Sequence, residues 1–295
     1  MRAFIMNITY PHVIDVRHAS PTPKRFHLRL PRMTTLLFGG VLLISATLAA
    51  IFAEQITPYD PTQMMPLERL HPPSLAHPFG TDLMGRDLLS RVVFGAQISL
   101  MVAAIATLIS ALPGIILGMI GGMYRSGFTL IIDYLMDAWM AIPGLLIVIA
   151  LTAAFERNPV ILAISLGIAG IPAVYRLMRN ETLKQTSALY IQAARASGAP
   201  ESYILLRHIL PNTLPIMIIF ATLRMGGLLI AISTFSFIGL GAQPPTPEWG
   251  TLLAESRDYF HQAWWLMVFP GLAISLTVLG LNLLADGLRD WLLPE

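Results

Sequence analysis

Six stretches of this chain are apolar over roughly the length needed to cross a bilayer, and that feature restricts the fold before any other. About 20 residues at 1.5 Å per residue span a hydrocarbon core roughly 30 Å thick. The stretches fall near residues 34–53, 97–120, 131–154, 160–174, 214–232 and 264–285. Inside hydrocarbon a segment must satisfy its own backbone hydrogen bonds, so each is expected to be helical. Charge content agrees: only 12% of the 295 residues are charged, against about a quarter in soluble domains. The expected fold class is an all-α membrane protein with six transmembrane helices.

Six crossings place both termini on one side, and the distribution of basic residues says which. The N-terminal side carries Arg2, Arg17, Lys24, Arg25, Arg29, Arg125, Arg176, Arg179, Lys184, Arg195, Arg207 and Arg289. The opposite side has Arg69, Arg86, Arg91, Arg157 and Arg257, with more carboxylates. Both termini are therefore expected in the cytoplasm. Residues 1–33 read as a cytoplasmic basic tail with no apolar signal region before Leu36, and residues 291–295 as a short C-terminal tail. Between the first helix (34–53) and the five-helix core (96–290) lies an outer loop, 54–95. Its many prolines predict turns, and residues 79–91 lead into an amphipathic helix.

The stretch that calls for a function is residues 190–211, inside a cytoplasmic loop at 183–211. It is polar and helix-prone between two apolar spans. Gly198 interrupts it, Ala199 is placed to cap, and Pro200 with Glu201 suits the first turn of a second helix. The product is a helix–glycine–helix elbow. Tyr190, Ile191 and Ala194 on one arm, with Tyr203, Ile204 and Leu206 on the other, offer apolar surface to a partner.

The chemistry of an enzyme or motor leaves no mark. The only lysines are Lys24 and Lys184, and neither sits in the Gly-Lys-Ser/Thr context of a phosphate-binding loop. No Gly-x-Ser-x-Gly elbow occurs, and no two histidines have the spacing of a helical zinc pair. His71 and His77 read as solvated loop residues. Cysteine is absent, which excludes disulfides and thiol chemistry. A net charge of +2 without a basic groove gives no reason to expect nucleic acid.

Charges at membrane depth carry more information. Counting along the helix rise, Arg224 lies roughly 15 Å into the fifth span and Asp137 roughly 9 Å into the third. Two readings stand: the two residues pair along a central pathway, or each snorkels or meets a partner subunit separately. Gly114, Gly118 and Gly122 recur every four residues, which fits either close helix packing or the general glycine content of membrane helices. Pro113, Pro143, Pro172, Pro215 and Pro270 mark the last five spans, as kinks for a gate or as tolerated packing.

Four motifs in order resemble one family. Gln192-Ala-Ala-Arg-Ala-Ser-Gly198 followed by His208-Ile-Leu-Pro211 resembles the "Glu-Ala-Ala…Gly" loop of binding-protein-dependent ABC importer permeases. Residues 80–91, 237–250 and 282–290 are similar to the Gly-Thr-Asp…Arg-Asp…Ser-Arg, Leu-Gly-Ala-Gln…Glu-Trp-Gly and Asn-Leu…Asp-Gly…Arg-Asp motifs of the C-type permease in the dipeptide/oligopeptide/nickel branch. Two positions depart: Gln192 stands for the name-giving Glu, and His208 for a hydrophobic residue. The resemblance implies a type I permease core in a bacterial or archaeal cytoplasmic (inner) membrane. It implies a second homologous permease, one or two ATP-binding subunits that hold ATP and magnesium, and an extracytoplasmic binding protein. No cofactor is expected in this chain itself. The elbow becomes a coupling helix carried by Tyr190, Gln192, Ala193, Ala194, Gly198, Glu201, Tyr203, His208, Leu210 and Pro211. Asp137, Pro143 and Arg224 are assigned to the pathway, and Gln243, Glu248 and Trp249 to contact with the binding protein or cargo. Family cargo includes dipeptides, longer peptides, glutathione, nickel and metal chelates, with peptide the commonest. A stand-alone secondary transporter or channel would leave the elbow unexplained.

Overall fold

The structure, a computed structural model, describes residues 32–293 other than Arg125. The basic tail through residue 31, Arg125 and residues 294–295 lie outside it. Eleven α-helices follow in order among the described residues: α1 (Arg32–Ile51), α2 (Ala53–Ile56), α3 (Leu88–Met123), α4 (Gly127–Ala141), α5 (Gly144–Ala154), α6 (Pro159–Thr186), α7 (Leu189–Ala196), α8 (Glu201–Ile204), α9 (Leu210–Phe237), α10 (Trp249–Ser256) and α11 (Trp265–Leu292). Among the described residues five segments are long and apolar enough to cross a membrane, and the bent pair α4–α5 makes a sixth if counted as one span. The all-helical membrane architecture is borne out.

Glycine spacing decides the central packing. A Cβ on Gly114, Gly118 or Gly122 would stand 2.5–2.7 Å from the Cβ of Val174, Met178 or Thr182. The stripe on α3 thus faces a stripe of equal spacing on α6, and the backbones approach closely because no side chain separates them. Beside this pair, α9 packs on α3 and α11, and α1 lies along α11.

The element ends differ from the expected spans in three instructive places. The second span begins at Leu88, so residues 79–87 lead directly into it and no separate amphipathic helix intervenes. That stretch is a buried turn: Asp82 accepts the N–H groups of Met84 (2.8 Å) and Arg86 (2.9 Å), and Asp87 caps α3 by accepting from Ser90 N–H at 2.8 Å. The third span is not straight, since α4 and α5 meet at 83°. Pro143 explains it: proline pushes the preceding residue to extended backbone, and Ile142 adopts φ −83°, ψ 121°. Pro113, Pro172, Pro215 and Pro270, in contrast, lie within continuous helices. The fifth span starts well before residue 214. From Glu201 to Phe237 the chain is one 37-residue helical segment, with a π-helical stretch at Leu205–Ile209. Pro211 follows that stretch and lacks the N–H that the Arg207 carbonyl would otherwise receive.

Candidate functional site

The elbow is built by a glycine. α7 ends where Gly198 adopts φ +78°, a left-handed conformation that strains side chains branched at Cβ. Gly198 N–H donates to the Arg195 carbonyl (2.9 Å) and Ala199 N–H to the Ala194 carbonyl (3.1 Å). This is the paired hydrogen bonding of a Schellman motif, with Ala194 and Ala199 also packed in one apolar cluster. Pro200, rather than Ala199, caps the second arm, and α8 begins at Glu201. Across the turn Arg195 donates to both carboxylate oxygens of Glu201, at 2.9 and 3.2 Å.

The two arms have distinct inner and outer faces. Ile191 and Ile204, expected on the docking surface, are instead fully buried with Ile209 against Met123 at the end of α3. They anchor the elbow to the bundle. The outward apolar side chains are Leu189 (82% exposed), Tyr190 (43%), Tyr203 (50%) and Leu206 (61%). Between the arms the His208 ring lies edge-on to both Tyr190 and Tyr203, with centroids 6.2 and 5.6 Å away. Gln192 and Ala193 face solvent, as does Pro211; Leu210 packs inward near Met217. An exposed apolar face thus rests on a fixed, internally bonded frame.

The membrane-depth charges are arranged otherwise than the pairing reading expected. Asp137 accepts from Arg176 at 2.6 Å, and Asp133 from Tyr175 (2.5 Å) and Arg179 (2.7 Å). The reason is register: residues 133 and 137 lie on one face of α4, opposite 175, 176 and 179 on α6. Arg224 meets neither aspartate; its Nε donates to Ser110 Oγ at 3.2 Å. Pro143 is exposed at the break of the third span.

At the far end of the bundle, Gln243 is exposed but Glu248 and Trp249 point inward. Glu248 accepts from Gly250 and Thr251 N–H (3.0 Å each), capping α10, and from Ser99 Oγ at 3.1 Å. Trp249 Nε1 donates to the Val92 carbonyl at 2.8 Å. Both fasten α10 to α3 and present no surface for a partner.

His77 is likewise not the solvated residue expected. Its ring is buried, stacked on Tyr59, with Nδ1 2.8 Å from Asp87 and Nε2 2.6 Å from Glu68. Burial alone would lower its pKa, but the hydrogen bonds and charges of Asp87 and Glu68 hold it above the ordinary histidine value. Sequence reasoning also missed the cluster in which Arg86 and Arg91 share Asp82 and Glu255. The i, i+4 spacing of Asp82 and Arg86 was its one local signal; Glu255 has none, lying 169 residues from Arg86.

Multiple apolar helices of membrane-crossing length define a multi-pass membrane protein. Residues 114–295 match the family described as "binding-protein-dependent transport system inner membrane component", and residues 24–73 match the N-terminal membrane domain of oligopeptide transport permease C. The chain belongs to this family of transport permeases, which are not enzymes, and it is a multi-pass bacterial inner membrane protein. It is 41% identical over 267 residues, 90% of each chain, to a peptide transport system permease protein of Brucella suis biovar 1. A di/tripeptide transport system permease protein of Pseudomonas aeruginosa is 39% identical, covering 87% of both chains. A glutathione transport system permease protein of Escherichia coli O6:K15:H31 is 44% identical, covering 92% of this chain and 89% of the relative.

Proposed function

We propose that this chain is one permease of an ATP-driven importer for peptides, including small ones such as di- and tripeptides or glutathione. It forms the pathway with a second, homologous permease. The observation that carries the reading is the elbow, where Leu189, Tyr190, Tyr203 and Leu206 stand outward on a frame pinned by Ile191, Ile204 and Met123. The positive-inside rule puts that face in the cytoplasm, where an ATP-binding subunit can receive it. ATP and magnesium belong to that subunit, since neither Lys24 nor Lys184 stands in a phosphate-binding loop. Closure of two such subunits would push the elbows, and the bundle would follow through the cluster at Met123. The pathway runs past the break at Pro143 and past Arg224, with the Asp137–Arg176 pair at its cytoplasmic end. On the outer face, the exposed Gln243 remains for the binding protein.

Peptide is preferred to nickel because the relatives described above are named for peptides and glutathione. The test is uptake of radiolabelled trialanine by proteoliposomes holding both permeases and the ATP-binding subunits, with the binding protein added outside. ATP-dependent accumulation that needs all components is the expected result. Accumulation by this chain alone, without ATP, would instead make it a stand-alone transporter.

A further inference from the structure

Arg224 stands near the middle of α9, at the depth where a charge is least tolerated without compensation. Its Nε donates to Ser110 Oγ of α3, and its guanidinium end rests on Gly170 of α6, where even one methyl group would collide with Nη2. Ser110 Oγ in turn donates to the Thr107 carbonyl at 2.9 Å, so the seat is itself fixed. Among the described residues Arg224 has no other hydrogen-bond partner and no carboxylate within ion-pairing distance. The acids of α4 and α6 are engaged elsewhere: Asp133 with Tyr175 and Arg179, Asp137 with Arg176, and Glu181 with Lys184.

The arginine also sits close to the interrupted third span. Ala169, next to Gly170, is the residue that Gly144 approaches, a Cβ on Gly144 standing 3.8 Å from the Ala169 Cβ. Gly144 opens α5 just after the 83° break. One turn of α6 thus touches both the arginine and the interrupted span. Irregular backbone at membrane depth is tolerated only where protein covers it or where it lines a watery cavity. A planar guanidinium with its Nη groups unbonded matches a carboxylate in charge and in two-pronged geometry.

We propose that Arg224, seated by Ser110 and Gly170, is a way-station that binds the free carboxylate of the cargo during passage. This rests on the peptide-import reading. Every peptide with a free C-terminus brings that group whatever its side chains, so one fixed cation serves a broad cargo. A carboxylate of the second permease would serve a permanent ion pair instead, and the experiment separates the two.

Uptake is measured in proteoliposomes holding the complete transporter, with trialanine and trialanine C-terminal amide as probes, for wild type, Arg224→Gln, Arg224→Lys and Gly170→Ala. Loss of a charge-assisted hydrogen bond predicts a fall of about 10- to 100-fold in the maximal rate for trialanine in Arg224→Gln. Arg224→Lys keeps the charge but loses the two-pronged fork, so its rate falls below wild type yet less far than that of Arg224→Gln, and Gly170→Ala also lowers the rate by displacing the guanidinium. Relative to wild type, the amide rate changes little in all three, and the second permease still copurifies. Equal loss on both probes, equal impairment of the Lys and Gln variants, or unchanged uptake would overturn the site. Loss of the second permease from Arg224→Gln would assign the counter-ion to that subunit. If wild type carries trialanine alone, the Lys-against-Gln comparison decides. Failure of wild type to import trialanine would remove the peptide reading, and the site with it.

Discussion

Arg195 and Glu201 are joined by two hydrogen bonds, of 2.9 and 3.2 Å, that bridge the turn at Gly198. The pair and the Schellman hydrogen bonds make the elbow a single stiff unit rather than two helices on a hinge. A stiff unit can transmit a push, which is what coupling to a separate motor requires.

Gly198→Val tests that stiffness. Valine at φ +78° is strained by roughly 1–2 kcal/mol, so the turn must open. Insertion and assembly are expected to survive, with ATP hydrolysis continuing while uptake falls at least about tenfold, the equivalent of 1.4 kcal/mol. Parallel ATPase and uptake measurements in proteoliposomes check it; wild-type coupling would contradict it.

The inner and outer faces of the elbow predict opposite consequences for one substitution. Ala193→Asp and Tyr203→Asp add charge to the exposed face and should leave the chain folded while abolishing copurification of the ATP-binding subunit. Ile191→Asp puts an unpaired charge into a fully buried site and should destabilise the fold by about 3–5 kcal/mol. Pull-down and thermal unfolding on the same samples distinguish the two effects.

Much of this was legible in the sequence for identifiable reasons. The spans showed because apolar run length is a local property, and the α3 stripe because Gly114, Gly118 and Gly122 repeat every four residues. The elbow showed because Gly198 and Pro200 punctuate a polar helix. What was not legible depends on remote partners. Ile191 turns inward because Met123 lies beneath it, and no spacing near residue 191 reports that. Counting depth put Asp137 and Arg224 within conceivable reach, but it ignores direction around the helix, and Arg176 faces Asp137 across α4 and α6. Glu248 and Trp249 looked like recognition residues in a loop; their partners Ser99 and Val92 lie about 150 residues earlier. His77 was misread although its partners Glu68 and Asp87 lie only 9 and 10 residues away, because no spacing in a proline-rich loop reports that the loop folds back and buries the ring.

The α3–α6 contact makes a stability prediction. Gly118→Leu places a branched side chain where a Cβ would already be 2.7 Å from Met178. The helices must separate, at a cost of about 1–3 kcal/mol or more. Lower thermal stability and reduced recovery of the assembled permease pair are expected, whereas Gly227→Leu, with open space at its Cβ position, should be near neutral.

The buried His77 sets a pH dependence with a definite sign. Its pKa is raised in the folded chain, so protonation favours the native loop. That stabilisation is fully present below the ordinary value near 6.5 and fades as pH rises through the raised pKa. Proteolytic nicking of the 57–87 loop, compared between wild type and His77→Gln from about pH 6 to about pH 9, should show protection by His77 that declines with pH. A constant difference across that range would contradict the assignment.

The most direct test of elbow-to-motor coupling uses the absence of cysteine from this chain. Ala193→Cys and Gln243→Cys each introduce one thiol, the first on the elbow and the second at the opposite end of the bundle. After treatment with a short thiol–amine cross-linker, Ala193→Cys in the assembled complex should capture the ATP-binding subunit, in a yield that changes on adding ATP. Gln243→Cys should capture none of it. Capture of the ATP-binding subunit through Gln243→Cys and not through Ala193→Cys would contradict both the orientation and the role given to the elbow.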